Sequence, residues 1–181
     1  MNNKDTRKGA AQLQASLAAM AQQPGFAEAL ITYSESDIRR DVQFDAARSL
    51  VALWNSWPGD PPVRQSLDPV ALGAKLLPSI VLLEAISGGD DYRWRIFGSL
   101  HEREYGADLR GRCLSEIEAQ NPSADALRRV LDEARLSVSP VYYRLQYSSA
   151  IGLKRRASGV ILPLANDSGE IGWLCGCASW S

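Results

Sequence analysis

The sequence predicts an α+β fold in which two paired strands are followed by short helices, one longer helix and three closing strands. The stretch from Tyr92 to Gly111 is the most informative, because it combines a strand that stops at a glycine, a short helix and a glycine-punctuated loop. A run typical of a partner strand precedes this stretch, and a longer helix and three strand patterns follow it. Helices placed between two groups of strands predict this fold class.

Composition limits the classes of protein to which the chain can belong. Its 181 residues are 45% hydrophobic and 23% charged, which suits one domain with a sizeable core and an extension. The 20 basic and 21 acidic residues give a formal net charge of -1. Such a chain has no overall field that attracts phosphate backbones or acidic lipid, so we expect no nucleic-acid partner and no membrane partner.

Targeting signals are weak. No stretch approaches the roughly 18 apolar residues of a membrane-spanning helix. Gln12, Gln14, Gln22 and Gln23 interrupt the N-terminal run that would have to be the apolar region of a signal peptide. Three cysteines are an odd number and do not read as a disulfide framework. These features predict a cytoplasmic protein.

The first 40 residues differ from the rest, and we predict an N-terminal helical or flexible extension over 1–40 and one domain over 41–181. Alanine and glutamine dominate residues 10–23. Leu13, Leu17 and Met20 form a narrow apolar stripe, which stabilises a short helix only when it docks on a partner surface. A frayed surface helix and a partner-binding segment remain alternative interpretations.

Two helices are predicted before the first strand. The first begins at Asp45 and ends before Pro58, since apolar residues recur at i, i+3, i+4 and i+7. They are Ala47, Leu50, Val51 and Trp54. Asp68 and Pro69 then have the types of an N-cap and a first-turn residue, so a short helix runs from Pro69 to Leu77 and stops at Pro78.

The first two strands are predicted at residues 80–86 and 92–97, joined by a tight turn that contains two glycines. Strict alternation places Tyr92, Trp94 and Ile96 on one face of the second strand and Arg93, Arg95 and Phe97 on the other. Glu84 lies where a cross-strand pair with an arginine is expected.

Two more helices are predicted after this hairpin. Ser99 and Glu102 match a capping box, which starts a helix that ends by Gly106. Asn121 and Pro122 open a longer helix that closes between residues 137 and 140. Its apolar stripe is Leu127, Val130, Leu131 and Ala134, and the side chains expected to face water are Arg128, Arg129, Asp132 and Glu133.

Three strand patterns complete the chain, at residues 141–147, 154–164 and 170–180. Asn166 to Gly169 has the composition of a turn, so the last two strands should form an antiparallel hairpin.

Five motifs resemble those of a bacterial PAS-like family whose members are often short proteins without an attached output domain. The matching segments are Pro62-Val63-Arg64, Leu67-Asp68-Pro69, Leu76 to Ile80, Tyr92 to Ser99 and Tyr105 to Arg112. The similarity covers about Leu50 to Trp180. It implies a PAS-like five-stranded antiparallel sheet with helices on its inner face and a non-catalytic sensory or regulatory role.

PAS-like domains use the space between sheet and helices for haem, flavin or a small metabolite, or leave it filled and bind proteins. The cofactor is therefore unknown from sequence. Our candidate pocket residues are Trp94, His101, Tyr105, Tyr143, Trp173 and Cys175. Aromatic side chains suit a flat or apolar ligand, although core filling explains them equally well.

The chain's single histidine, His101, is the one available imidazole ligand for haem, but a lone histidine in a first helical turn is more often a surface or packing residue. Cys113, with Arg112 and Leu114, superficially resembles the reactive cysteine motif of photoactive flavin domains, yet the flanking residues differ. Cys175 and Cys177 share one strand face, where apolar packing is favoured over a metal site.

Five arginines on the predicted strands suggest a positively charged sheet face. Solvated surface, pairing with Glu84, an acidic partner and the docked extension are the alternatives. The residues are Arg93, Arg95, Arg144, Arg155 and Arg156.

Three functions of different classes follow from these patterns. The first is a sensory module that binds a small ligand and signals through contacts with an unknown protein, as a homodimer. The second is a ligand-free adaptor or dimerisation protein. The third, an enzyme on a related cone-shaped α+β fold, is disfavoured because no nucleophile, base and orienting group assemble from the motifs. No catalytic, cofactor-binding or metal residue is therefore assigned.

Overall fold

The computed structural model describes residues 29–30 and 35–181. Its sheet has the strand order β1-β4-β5-β6-β2-β3, and every neighbouring pair is antiparallel. The strands are β1 Ala29–Leu30, β2 Ile80–Ile86, β3 Asp91–Phe97, β4 Val141–Ser148, β5 Lys154–Ala165 and β6 Ile171–Trp180. The helices are α1 Glu35–Arg40, α2 Asp45–Ser56, α3 Pro69–Leu76, α4 Ser99–Tyr105, α5 Leu114–Glu118 and α6 Asp125–Ser137.

The predicted five-stranded antiparallel sheet with helices is confirmed, and the two-residue strand β1 is added at the free edge of β4. On the inner face of the sheet, α6 buries Val130 and Leu131 against the strands. On the outer face a second core forms under α2, where Leu50 and Trp54 are buried. The Trp54 indole donates a hydrogen bond to the carbonyl of Pro163 at 3.0 Å, which fixes α2 on β5. Burial on both faces explains the nearly continuous apolar run in β5.

A bulge in β3 makes the predicted side-chain alternation of this strand wrong. Leu83 is opposite Trp94, but Leu82 is opposite Ile96. Arg95 is therefore an extra residue whose backbone is paired with no residue of β2. Beyond the bulge the two faces exchange. As a result Phe97 is buried on the inner face together with Trp94, while Ile96 is 36% exposed. Arg95 reaches Glu84, its Nε lying 2.8 Å from Oε2, which is the pairing expected for Glu84.

The predicted capping box at Ser99 is wrong as well. The N-cap of α4 is Gly98, Ser99 is the first helical residue, and no side chain caps this end. Gly98 lies so close to the sheet that a Cβ there would meet the carbonyl oxygen of Ile80 at 2.8 Å. At the other end the helix stops at Gly106, as predicted, with a positive φ of 86°.

The Asp68 cap of α3 is confirmed by a 2.9 Å hydrogen bond from the Val70 amide to the Asp68 carboxylate.

Two polar residues of α6 are not turned to water as predicted. The Arg128 guanidinium binds the Glu118 carboxylate at 2.6 and 2.8 Å and reaches Asp91 at 3.3 Å. Asp132 accepts a 2.5 Å hydrogen bond from the hydroxyl of Tyr92, which is fully buried. These contacts join α6 to α5 and to the start of β3. The short helix α5 was not predicted from sequence.

Within the described ranges no helix is long and apolar enough to cross a membrane. The predicted stripe of Leu13, Leu17 and Met20 lies outside the described residues. Ile38 of α1 is buried in the outer core, so this part of the predicted extension contacts the domain. The division at residue 40 stays a prediction.

Candidate functional site

A cavity of about 110 Å³ lies between the inner face of the sheet and the segment from α4 to α6. Its lining is mostly aliphatic and aromatic, and every strand except β1 contributes to it. The lining residues are Val81, Leu83, Trp94, Phe97, His101, Tyr105, Leu109, Leu114, Ile117, Asn121, Ser123, Ala124, Leu127, Tyr143, Leu145, Tyr147, Ala157, Ile161, Ala178 and Trp180. Such apolar concavities with few polar groups are typical ligand sites.

A glycine sets the sheet floor of the cavity near its β4 side. Tyr143 lies opposite Gly159 in the pairing of β4 with β5. A Cβ at Gly159 would lie 2.8 Å from the Tyr143 hydroxyl and would also collide with the carbonyl of Cys177. Only glycine therefore lets the tyrosine ring lie across the neighbouring strand.

The partly exposed side of the cavity is formed by two tyrosines. The rings of Tyr105 and Tyr147 stack with their centroids 6.4 Å apart. The hydroxyl of Tyr147 accepts a 2.8 Å hydrogen bond from the Trp180 indole, which ties the end of β4 to the end of β6. Both tyrosines are partly exposed, so this pair lies where the cavity approaches the surface.

Two polar side chains between α5 and α6 use their hydrogen bonds within the protein. The amide of Asn121 donates to the carbonyl of Ser148 at 2.6 Å, and its oxygen accepts from the hydroxyl of Ser123 at 2.6 Å. The Ser123 hydroxyl in turn accepts from the Ser148 amide at 3.2 Å. This cluster fixes the entry to α6 on β4 and leaves little polarity for a ligand.

His101 is held in one neutral form. Its Nε2 lies 2.7 Å from the carbonyl oxygen of Ser79, which can only accept, so Nε2 carries the proton and donates. The ring packs edge-on against Trp180, with centroids 4.8 Å apart, and against Phe97 at 5.4 Å. Burial lowers the pKa of His101 to about 4, and the bond to Ser79 opposes this shift in part.

Two polar groups on buried residues of the lining have no hydrogen-bond partner within the part of the chain that the structure describes. Tyr143 is 4% exposed and Trp94 is 3% exposed. Among the described residues, nothing hydrogen-bonds to the Tyr143 hydroxyl or to the Trp94 indole nitrogen. Burial raises the pKa of Tyr143 well above its usual value, so the hydroxyl stays protonated. Neither atom is fully enclosed by protein, since the fully buried side-chain atoms without a hydrogen-bond partner among the described residues are Gln43 Oε1, Arg64 Nε and Arg155 Nε.

The structure brings four of the six predicted pocket residues together at this cavity: Trp94, His101, Tyr105 and Tyr143. Trp173 and Cys175 do not share it, since they belong to the outer core under α2. The alternation of β6 directs Leu174 and Ala178 inward and Trp173, Cys175 and Cys177 outward.

The outward residues of β6 have apolar or cationic neighbours. The Arg64 guanidinium lies 5.4 Å from the centre of the Trp173 ring. Cys175 and Cys177 are buried thiols, as the sequence predicts, and burial raises the pKa of Cys175 to about 12. In the described part of the chain no three metal-binding side chains cluster.

The predicted arginine face is divided between several ion pairs. Arg95 binds Glu84, as noted above. Arg144 pairs with Asp41 on the outer face and lies 5.5 Å from the ring of Phe44. Arg155 instead approaches Glu104 of α4, at 3.6 Å. The five arginines therefore do not form one continuous surface.

Haem does not fit this arrangement. The Nε2 of His101, the nitrogen that would coordinate iron from this side, is bonded to the protein backbone. A cavity of about 110 Å³ also leaves no space for a four-ring macrocycle, nor for the three fused rings of a flavin. Cys113, the one cysteine whose setting resembles a flavin motif, is not among the lining residues.

Sequence reasoning missed several lining residues, above all Phe97, Asn121, Tyr147 and Trp180. The bulge in β3 concealed Phe97. The alternation Val141, Tyr143, Leu145 and Tyr147 contained the signal for Tyr147, since it shares a strand face with Tyr143.

A protein-family model described as "PAS domain" matches residues 42–179. No curated protein matches the chain. Among solved structures, an RNA-binding light-oxygen-voltage receptor is 18% identical with a TM-score of 0.46, over 68% of this chain and 36% of that one. The present chain thus spans about a third of that receptor. A fungal LOV domain photoreceptor is 20% identical with a TM-score of 0.48, over 74% and 90%. A sensory box sensor histidine kinase from Vibrio cholerae is 17% identical with a TM-score of 0.45, over 57% and 80%.

Proposed function

The chain belongs to the PAS domain family, and we propose that its inner cavity binds a small ligand whose presence is relayed through contacts with another protein. PAS domains are sensory signalling modules and are generally non-catalytic. The observation that carries the proposal is the apolar cavity of about 110 Å³, whose lining includes two polar groups, the Tyr143 hydroxyl and the Trp94 indole, without a partner among the described residues. A filled core would bury such groups against a partner.

The position of the cavity supports a sensory role for its occupant. The lining joins five neighbouring strands of the sheet, from β4 to β3, to residues of α4, α5 and α6. A ligand would therefore contact the sheet and the helices together. Binding that orders these helices differently from the empty state changes the surface available to a partner.

Native mass spectrometry of the full chain tests for a cellular ligand. We expect an additional mass that is lost on denaturation. The variant Ala124→Leu, which adds volume to the lining, should reduce this mass. Ala46→Leu is the matched control, because Ala46 is also a partly buried alanine but packs on the outer core. Consistent absence of the mass from the unmodified protein would contradict the ligand.

One observation favours a second function, pairing of two copies through the extension. Strand β1 lies on the edge of β4, antiparallel to Leu145 and Arg144, so part of the extension already contacts the domain edge. We propose a homodimer supported by the N-terminal segment. Sedimentation of the full chain and of a chain lacking residues 1–28 tests this. An unchanged dimer after truncation would exclude these residues as its main support.

A further inference from the structure

The chemistry of the lining restricts what the cavity can hold. We infer that it selects a compact, uncharged, single-ring ligand that presents a hydrogen-bond acceptor to the hydroxyl of Tyr143. The inference rests on the proposed function, that the inner cavity is a ligand site. It goes further because it names the chemical class of the ligand and the residue that recognises it.

The uncharged lining of the cavity disfavours a charged ligand. No residue of the lining carries a formal charge at neutral pH, because it contains no aspartate, glutamate, lysine or arginine. His101 is neutral there, with a pKa lowered to about 4 by burial. The side chain of Arg155 is paired with Glu104 of α4 at 3.6 Å, so this pair carries no net charge. A charged ligand would lose its hydration without gaining a counter-ion, which is strongly unfavourable.

The need for an acceptor follows from the unpaired donors. Asn121, Ser123 and Tyr147 each bond to another part of the chain, as does Nε2 of His101. The Tyr143 hydroxyl and the Trp94 indole have no such partner within the part of the chain that the structure describes, and the indole can only donate. Tyr143 lies on β4 and Trp94 on β3, and strands β5, β6 and β2 lie between them. One compact ligand therefore reaches only one of the two donors. Tyr143 is the better anchor, since a hydroxyl can turn its proton towards an acceptor, whereas the indole N–H is fixed in the plane of its ring.

The volume of the cavity limits the size of the ligand. A dry apolar cavity of roughly 150 Å³ accepts benzene. The cavity of about 110 Å³ is of the same order and lined in a similar way. It therefore suits one ring with few substituents, and hydrophobic contact supplies most of the affinity.

Titration with three single-ring aromatic probes, followed by protein NMR at pH 8, tests the inference on the full chain. Benzene has no polar atom, pyridine has the same shape with one acceptor nitrogen, and N-methylpyridinium is a cation without an acceptor. Each dissociation constant is measured for the unmodified protein, for Tyr143→Phe and for Tyr142→Phe. The last variant removes the same hydroxyl from the neighbouring residue, which packs on the outer core.

Benzene and pyridine are hydrated to different extents in water, and this affects their affinities whatever the protein contributes. The informative quantity is therefore the ratio of the two affinities, compared between the protein variants. We expect Tyr143→Phe to lower the affinity for pyridine relative to benzene about tenfold, the typical effect of one neutral hydrogen bond. Tyr142→Phe should leave the ratio unchanged. N-methylpyridinium should bind at least tenfold more weakly than pyridine.

The failures are distinguishable. If benzene and pyridine bind but Tyr143→Phe does not change their ratio, or if the cation binds as well as pyridine, the inference is overturned and the ligand cavity stands. If none of the probes perturbs the signals of lining residues, the inference and the proposed ligand site both fail.

Discussion

The neutral state of the half-buried His101 makes the protein sensitive to acid in a narrow range of pH. Its pKa falls from an ordinary 6.5 to about 4 in the folded chain, chiefly because burial disfavours the cation. The unfolded chain therefore binds a proton between these two values while the folded chain does not. A depressed folded-state pKa of this kind means that stability is fully present above pH 6.5 and is lost as the pH falls towards 4.

The magnitude follows from the two pKa values. Between pH 7 and pH 5 the unfolded state gains most of one proton, which lowers the free energy of unfolding by about 2 kcal/mol. The pKa values of Asp41, Asp91 and Asp108 are lowered from the ordinary 3.8, so these three carboxyl groups affect the free energy of unfolding mainly below pH 5. The substitution His101→Gln removes the titration and keeps an amide donor for the carbonyl of Ser79.

Urea unfolding followed by tryptophan fluorescence measures the effect at pH 7 and pH 5. The unmodified protein should lose about 2 kcal/mol over this interval, and His101→Gln should lose much less. Because the sequence contains one histidine, a single imidazole NMR signal reports the pKa directly. Equal losses in the two proteins, or an imidazole that titrates near 6.5, would refute the reasoning.

Three further predictions concern stability. Gly159→Ala should lower it by more than about 2 kcal/mol in chemical unfolding, since the new Cβ overlaps the backbone of β6; an unchanged midpoint would contradict the close approach. Leu131→Ala should cost about 2 to 5 kcal/mol in the same assay, because this fully buried side chain of α6 fills the inner core, and a loss below about 1 kcal/mol would mean that the site collapses freely. Arg128→Leu leaves the carboxylate of Glu118 without its partner and should cost about 2 kcal/mol; adding Glu118→Gln should recover part of that loss, and purely additive effects would show that the pair is not coupled.

The order of the elements along the chain and most helix bounds were predictable because local signals agreed with the fold. Asp68 and Pro69 capped α3 as their types required, and the positive φ of Gly106 ended α4. The bulge at Arg95 was not predictable, since an extra residue in one strand is defined by its partner strand and not by local alternation. Helix α5 spans five residues, too few for an apolar period to be recognised.

The candidate site was predictable in part for the same reason. Alternation groups Trp94 with Tyr92 and Tyr143 with Val141, but for these strands, as for Trp173 and Cys175 on β6, only the structure shows which face meets the inner helices. Apolar side chains occupy both faces of that strand, so their types do not distinguish inside from outside. The unpaired state of the Tyr143 hydroxyl depends on tertiary contacts alone.

Hydrogen exchange with and without saturating pyridine tests most directly whether a ligand in the cavity acts on the surrounding helices. We predict slower exchange in α4, α5 and α6, which contribute to the lining, and unchanged exchange in α2 on the outer face. The difference should disappear in Ala124→Leu. No protection, or equal protection on both faces of the sheet, would contradict a ligand cavity that communicates with the inner helices.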